Sequence, residues 1–96
     1  MATIDIRRPH GIGVETAKQR AAELAKDLES KLGIKWRWEG DQILFAADSG
    51  AAKGTSGKLS CSGAEVRVEI DLPLLLRAIK GKIAGKVNEK LDALLG

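Results

Sequence analysis

The sequence predicts an α+β protein. It is a two-layer sandwich in the order β-α-β-β-β-β-α, with an antiparallel sheet and two helices on one face. Three observations predict it. Two long segments, 14–32 and about 72–95, repeat apolar residues at three- and four-residue intervals, as helices with one buried stripe do. Between them, four short segments alternate apolar and polar residues and are joined by turn signals, which implies a meander. Both helical stripes must be buried, and the apolar side of the sheet is the surface available to them.

Each element has a local reason. Residues 3–7 set Ile4 and Ile6 against Thr3, Asp5 and Arg7, the pattern of a half-buried strand. Val14, Ala17, Ala21, Leu24, Ala25, Leu28 and Leu32 then line one helix face. Gly33 follows where a helix wants a left-handed residue. The start is open between Val14, already on the stripe, and Thr16, which has capping-box spacing to Gln19.

Two hairpins come next. In "IKWRWEGDQILFA", a two-residue turn at Gly40-Asp41 sets Trp38 opposite Ile43 and Trp36 opposite Phe45. In "GKLSCSGAEVRVEID", a turn at Gly63-Ala64 sets Cys61 opposite Val66 and Leu59 opposite Val68. In these registers every large apolar group falls on one face. The glycine-rich "AADSGAAKGTSG" between the hairpins reads as a flexible loop. The last helix is marked by Asp71 and Pro73, with Leu72, Leu76, Ile79, Ile83, Val87, Leu91 and Leu94 as its stripe.

Ninety-six residues make one domain, 1–96. A hydrophobic fraction of 44% and a charged fraction of 30% are those of a globular chain and exclude disorder. The one cysteine, Cys61, excludes an internal disulfide and suits a reducing compartment. No stretch approaches the ~20 apolar residues of a membrane span, so a cytoplasmic protein is expected. A net charge of +3 permits anionic partners without demanding them.

The chemical candidates are few. His10, in "RRPHGIGVET", is the chain's one histidine and has no second histidine to share a metal. It reads as part of the bend between strand and helix. "AAKGTSGKL" fails as a phosphate loop: Ala52 and Leu59 stand where glycine and a hydroxyl are needed, and a strand follows. Trp36 and Trp38 share a face with Ile34 and read as core. Alternatively, with Phe45, they line a groove for an apolar ligand. Glu69 and Asp71 read as a solvated pair. No acid, base and nucleophile can be assembled, so neither an enzyme nor a bound cofactor or metal is expected.

The last helix is the most informative element. From residue 73 on it holds five cations, Arg77, Lys80, Lys82, Lys86 and Lys90, against Glu89 and Asp92. Lys80 falls within the apolar arc and is expected to snorkel at its edge. Leu74, Ala78, Gly81 and Gly85 form a second, smooth surface. Glycine within a helix costs about 1 kcal/mol relative to alanine. That cost is explained if this face lies against something: the other helix, a twin subunit in a homo-oligomer, or an apolar surface.

Five pieces, "IDIRRPHGIG", "AKQRAAELAKDL", "WEGDQILF", "VRVEIDLPLLL" and "KLDALLG", fall in order along nearly the whole chain. In them the sequence resembles the polyhydroxyalkanoic acid system proteins. These are small bacterial proteins encoded beside the genes for polyester storage granules, some of them found on the granule surface. His10 and Gly13 correspond to a histidine and glycine ahead of the family's first helix, and Gly40-Asp41 to its hairpin turn. The resemblance implies a setting, possession of no known catalytic residue, and a location in the cytoplasm or on granules. The expected function is that of a non-catalytic accessory protein. Leu74, Arg77, Ala78, Gly81, Lys82, Gly85, Lys86 and Lys90 would meet the granule surface or a granule protein. The alternative is an acyl-binding module at Trp36, Trp38 and Phe45, and the third a weak nucleic-acid binder through the basic helix.

Overall fold

A computed structural model describes residues 3–48, 50 and 53–95. Strands β1 (Ile4–Pro9), β2 (Lys35–Glu39), β3 (Gln42–Ala46), β4 (Ser56–Cys61) and β5 (Glu65–Asp71) form one antiparallel sheet. Its order is β1-β5-β4-β3-β2. The helices are α1 (Val14–Leu32) and α2 (Lys80–Leu95), and a 3₁₀ helix, Leu74–Ile79, leads into α2.

The observed registers put the expected residues opposite one another. Trp36 faces Phe45 and Trp38 faces Ile43, while Leu59 faces Val68 and Cys61 faces Val66. Two rows cross the apolar side of the sheet. One runs Ile6, Val68, Leu59, Ile43, Trp38 and the other Ile4, Ile70, Gly57, Phe45, Trp36. Helix α1 lies against β2, β3 and β4, and α2 lies against β1, so both helices share this side. Leu24, Ile43, Leu59 and Val68 have no exposed surface at all.

Gly57 leaves a gap in its row, and the Phe45 ring fills it. A Cβ built on Gly57 would stand 2.5 Å from Phe45 Cζ and 2.3 Å from the Glu69 carbonyl oxygen. Close approach of a ring and a backbone is a use of glycine that its neighbours in the strand cannot serve.

Glycine also sets the chain reversals. Gly13 precedes α1 at φ 83°, ψ 153°, a region nearly closed to other residues. Its carbonyl accepts the Ala17 N–H at 2.9 Å, so α1 begins at Val14 rather than Thr16. Gly33 is left-handed (φ 71°), and its N–H closes the helix on the Glu29 carbonyl at 3.0 Å. In the first hairpin Gly40 has φ 63° and Asp41 is not positive, the pattern of a type II′ turn.

The opposite face of the sheet is bare and polar. Asp5 accepts two bonds from Arg67, at 3.0 and 2.7 Å, and Arg67 reaches Glu69 at 3.2 Å. The Arg67 guanidinium holds the Asp5 carboxyl below its ordinary range. Glu69, read as a solvated carboxylate, is thus half-buried in a ladder of cross-strand charges.

Three details differ from the sequence reading. The last element is 3₁₀ as far as Ile79 and α-helical only from Lys80. Lys80 does not snorkel; it is exposed, because it starts α2 beyond the cover of the sheet. Strand β1 runs on to Pro9, which puts Arg8 on the helix-covered side, paired with Val66. There it binds Asn88 Oδ1 at 3.0 Å and forms an ion pair with Asp92, tying β1 to α2. The neck of the loop after β3 is bonded. Ala47 N–H donates to the Thr55 carbonyl at 2.8 Å, and Gly54 N–H donates to the Ala47 carbonyl at 2.9 Å. Residues 49, 51 and 52 of that loop, Ala52 among them, lie outside the described residues.

Candidate functional site

The site candidates of the last element separate into two groups. Pro73, extended at φ −64°, ends β5's path, and the Leu76 N–H returns to its carbonyl at 2.9 Å. Arg77 Nε donates to the Leu72 carbonyl at 3.2 Å, so this guanidinium fastens the segment to the end of the sheet. A 3₁₀ helix has three residues per turn. Pro73, Leu76 and Ile79 therefore form one column, and Leu74 and Leu75 begin the other two. Leu72 is buried and Leu76 half-buried, but Leu74 is 78% exposed and Leu75 90% exposed. Ala78 continues the exposed apolar surface, whereas Ile79, also exposed, borders the space between the two helices.

In α2 the turn of about 100° per residue puts Gly81 and Gly85 on the side of Asn88 and Asp92, above β1. Both glycines are exposed, and a Cβ on either would meet nothing within 4 Å. Helix α1 does not cover them. Substituting both, Gly81→Ala with Gly85→Ala, should therefore raise stability by about 1 kcal/mol each, measured as a higher urea midpoint. No gain would mean that α2 is not helical there. Lys82, Lys86 and Lys90 lie on the other side, toward α1, and border a hollow between the helices. Leu74, Arg77, Ala78, Gly81 and Gly85 are each exposed, and the three lysines stand on the side of α2 that faces α1.

Sequence reasoning passed over Leu75, the most exposed large apolar side chain of the segment. The signal was present. Three consecutive leucines, 74–76, exceed what one helical stripe can bury. It also passed over Lys31 and Leu28 of α1, whose nearness to α2 depends on helix packing alone.

His10 is held at the bend. Its Nε2 lies 2.8 Å from the Ser62 carbonyl, which can only accept, so Nε2 carries the proton. Its Nδ1 then accepts the Ile12 N–H at 3.4 Å, and its own backbone N–H donates to the Ala64 carbonyl at 2.9 Å. With both ring nitrogens occupied, the imidazole fastens the turn before α1 to the β4–β5 hairpin. Cys61 lies in the core, its thiol directed to the Ala17 carbonyl at 3.8 Å, and burial pushes its pKa up. A thiol held protonated is a poor nucleophile.

The three aromatic residues share one side of the sheet but are unequally covered. Phe45 is buried on Gly57, Trp36 is half-buried, and Trp38 is 41% exposed at the edge strand β2. Edge position explains Trp38, since α1 reaches β2 but α2 does not. A hollow of about 290 Å³ touches Trp36 and Phe45 but not Trp38. Its other lining residues, Lys35, Arg37, Leu44 and Ala46, lie on the bare face by register.

Among the described residues, no helix is long and apolar enough to cross a membrane. Comparison with curated proteins and with solved structures returns no match. A family model described as "Putative polyhydroxyalkanoic acid system protein" matches residues 4–95, from the first residue of β1 to the last of α2. The chain therefore belongs to the polyhydroxyalkanoic acid system protein family.

Proposed function

We propose that this protein is a non-catalytic accessory protein of the polyhydroxyalkanoate granule system, working from the cytoplasm. It holds to the granule surface, or to a protein on it, through its C-terminal segment. The observation that carries this reading is the exposure of Leu74 and Leu75 side by side on a short helix fixed to the sheet. Soluble monomers expose single apolar residues freely, but contiguous apolar patches mark contact sites. Ala78, Gly81 and Gly85 extend the surface without bulk, Arg77 supplies a cation within it, and Lys82, Lys86 and Lys90 flank it only from the side of α2 that faces α1. An apolar face with cationic flanks suits a polymer surface coated with phospholipid or acidic protein.

The test is partition between granules and cytosol in granule-filled cells. Burying a leucine is worth about 1.5–3 kcal/mol, so Leu74→Asp with Leu75→Asp should lower the granule-bound fraction at least about tenfold. Both side chains are exposed, so thermal stability should stay unchanged. A wild-type protein that stays diffuse in such cells would sink the reading.

A further inference from the structure

The apolar stripes of α1 and α2 do not close on each other. Between them lies a hollow of about 170 Å³ walled by Leu28 and Leu32 of α1 and by Ile79 and Ile83 around the start of α2. Lys31, Lys82, Lys86 and Lys90 border it, against a single carboxylate, Asp27. Asp27 is already paired with Lys31 at 3.4 Å. Among the described residues, no ion pair reaches Lys82, Lys86 or Lys90. These three stand four residues apart in sequence, where like charges on a helix repel. An open apolar trough leaves apolar surface unburied, and the like charges of the row repel one another. A single ligand relieves both if it has an apolar body and an anionic head.

We propose that this hollow binds a free carboxylate with one aliphatic chain. Size decides between occupants. An apolar cavity of about 150 Å³ holds one benzene, so this one takes roughly six chain carbons and leaves the carboxylate at the lysines. An entire helix, about 10 Å across, is too large. The carboxylate meets Lys82, Lys86 or Lys90, and Lys31 is released from Asp27 to join them. This site is separate from the Leu74–Leu75 surface and does not depend on the granule reading.

The experiment is a titration of the full chain with octanoate below its micelle concentration, followed by methyl NMR. Octanol and octylammonium serve as controls. Octanoate should shift Leu28, Ile83 and Val87 and bind at least about tenfold tighter than octanol, the difference expected of one charge-assisted contact. Lys31→Gln, Lys82→Gln, Lys86→Gln and Lys90→Gln combined should remove that difference while the chain stays folded. Ile83→Trp, which fills the hollow, should abolish binding. The Leu74→Asp, Leu75→Asp variant should bind octanoate as the wild type does, which separates this site from the granule surface. Octanol binding as tightly as octanoate would overturn the proposal. So would shifts confined to Leu74 and Leu75, or none with octanoate at millimolar concentration. An acidic amphipathic peptide that shifts the hollow where octanoate fails would also overturn it, in favour of a protein partner.

Discussion

Gly57→Ala should lower stability by about 1–3 kcal/mol, the range of overpacking in a filled core. General propensity predicts the opposite sign, since alanine in a strand is favoured over glycine by about 0.5–1 kcal/mol. The local geometry overrides it. The new methyl would stand 2.5 Å from Phe45 Cζ and 2.3 Å from the Glu69 carbonyl oxygen. A ring can turn, but the carbonyl belongs to β5, which β1 and β4 hold on both sides. Shortening the ring with Phe45→Leu should consequently restore only part of the loss. Urea denaturation of the single and double variants measures this. A stability equal to or above the wild type in Gly57→Ala would show that the Phe45 ring does not lie over that strand.

Leu59→Ala is expected to cost about 3–4 kcal/mol, the middle of the range for a buried leucine. Leu59 has no exposed surface and sits mid-row, between Ile43 and Val68, under α1. Strands flank it on both sides and a helix covers it, so the cavity has little room to collapse. Domains of this kind are stable by about 5–15 kcal/mol in total, so the loss is a large share of what holds the protein folded. Leu74→Ala, at 78% exposure, should change stability very little by the same measurement. If both variants lost similar amounts, the separation of core from surface leucines would be wrong. Together the two results locate the core in the middle of the sheet and leave the 3₁₀ segment outside it.

The surface proposed for granule contact was half legible. Leu74, Ala78, Gly81 and Gly85 stand out in sequence because they miss the apolar stripe, and they are exposed. Their grouping with Lys82, Lys86 and Lys90 came from treating residues 72–95 as one α-helix. The 3₁₀ start separates the leucines from the lysines, and the wheel then puts the lysines on the side of α1. Trp38 was expected in the core from its shared face with Ile34. The alternation was right, but alternation assigns a face and not the cover over it. At the edge strand the cover runs out.

By itself the sequence determined which segments are strands and which are helical, the stop of α1, the hairpin registers and the wetted side of the sheet. These depend on periods of two and 3.6 residues and on glycines at reversals, which are properties of neighbours along the chain. It also determined the family resemblance. The tertiary structure alone decided that β1 lies beside β5, that Arg8 reaches Asn88 and Asp92, and that a hollow stays open between α1 and α2. Those contacts join residues up to 84 positions apart. They depend on how two layers fit together, and no local spacing encodes that fit.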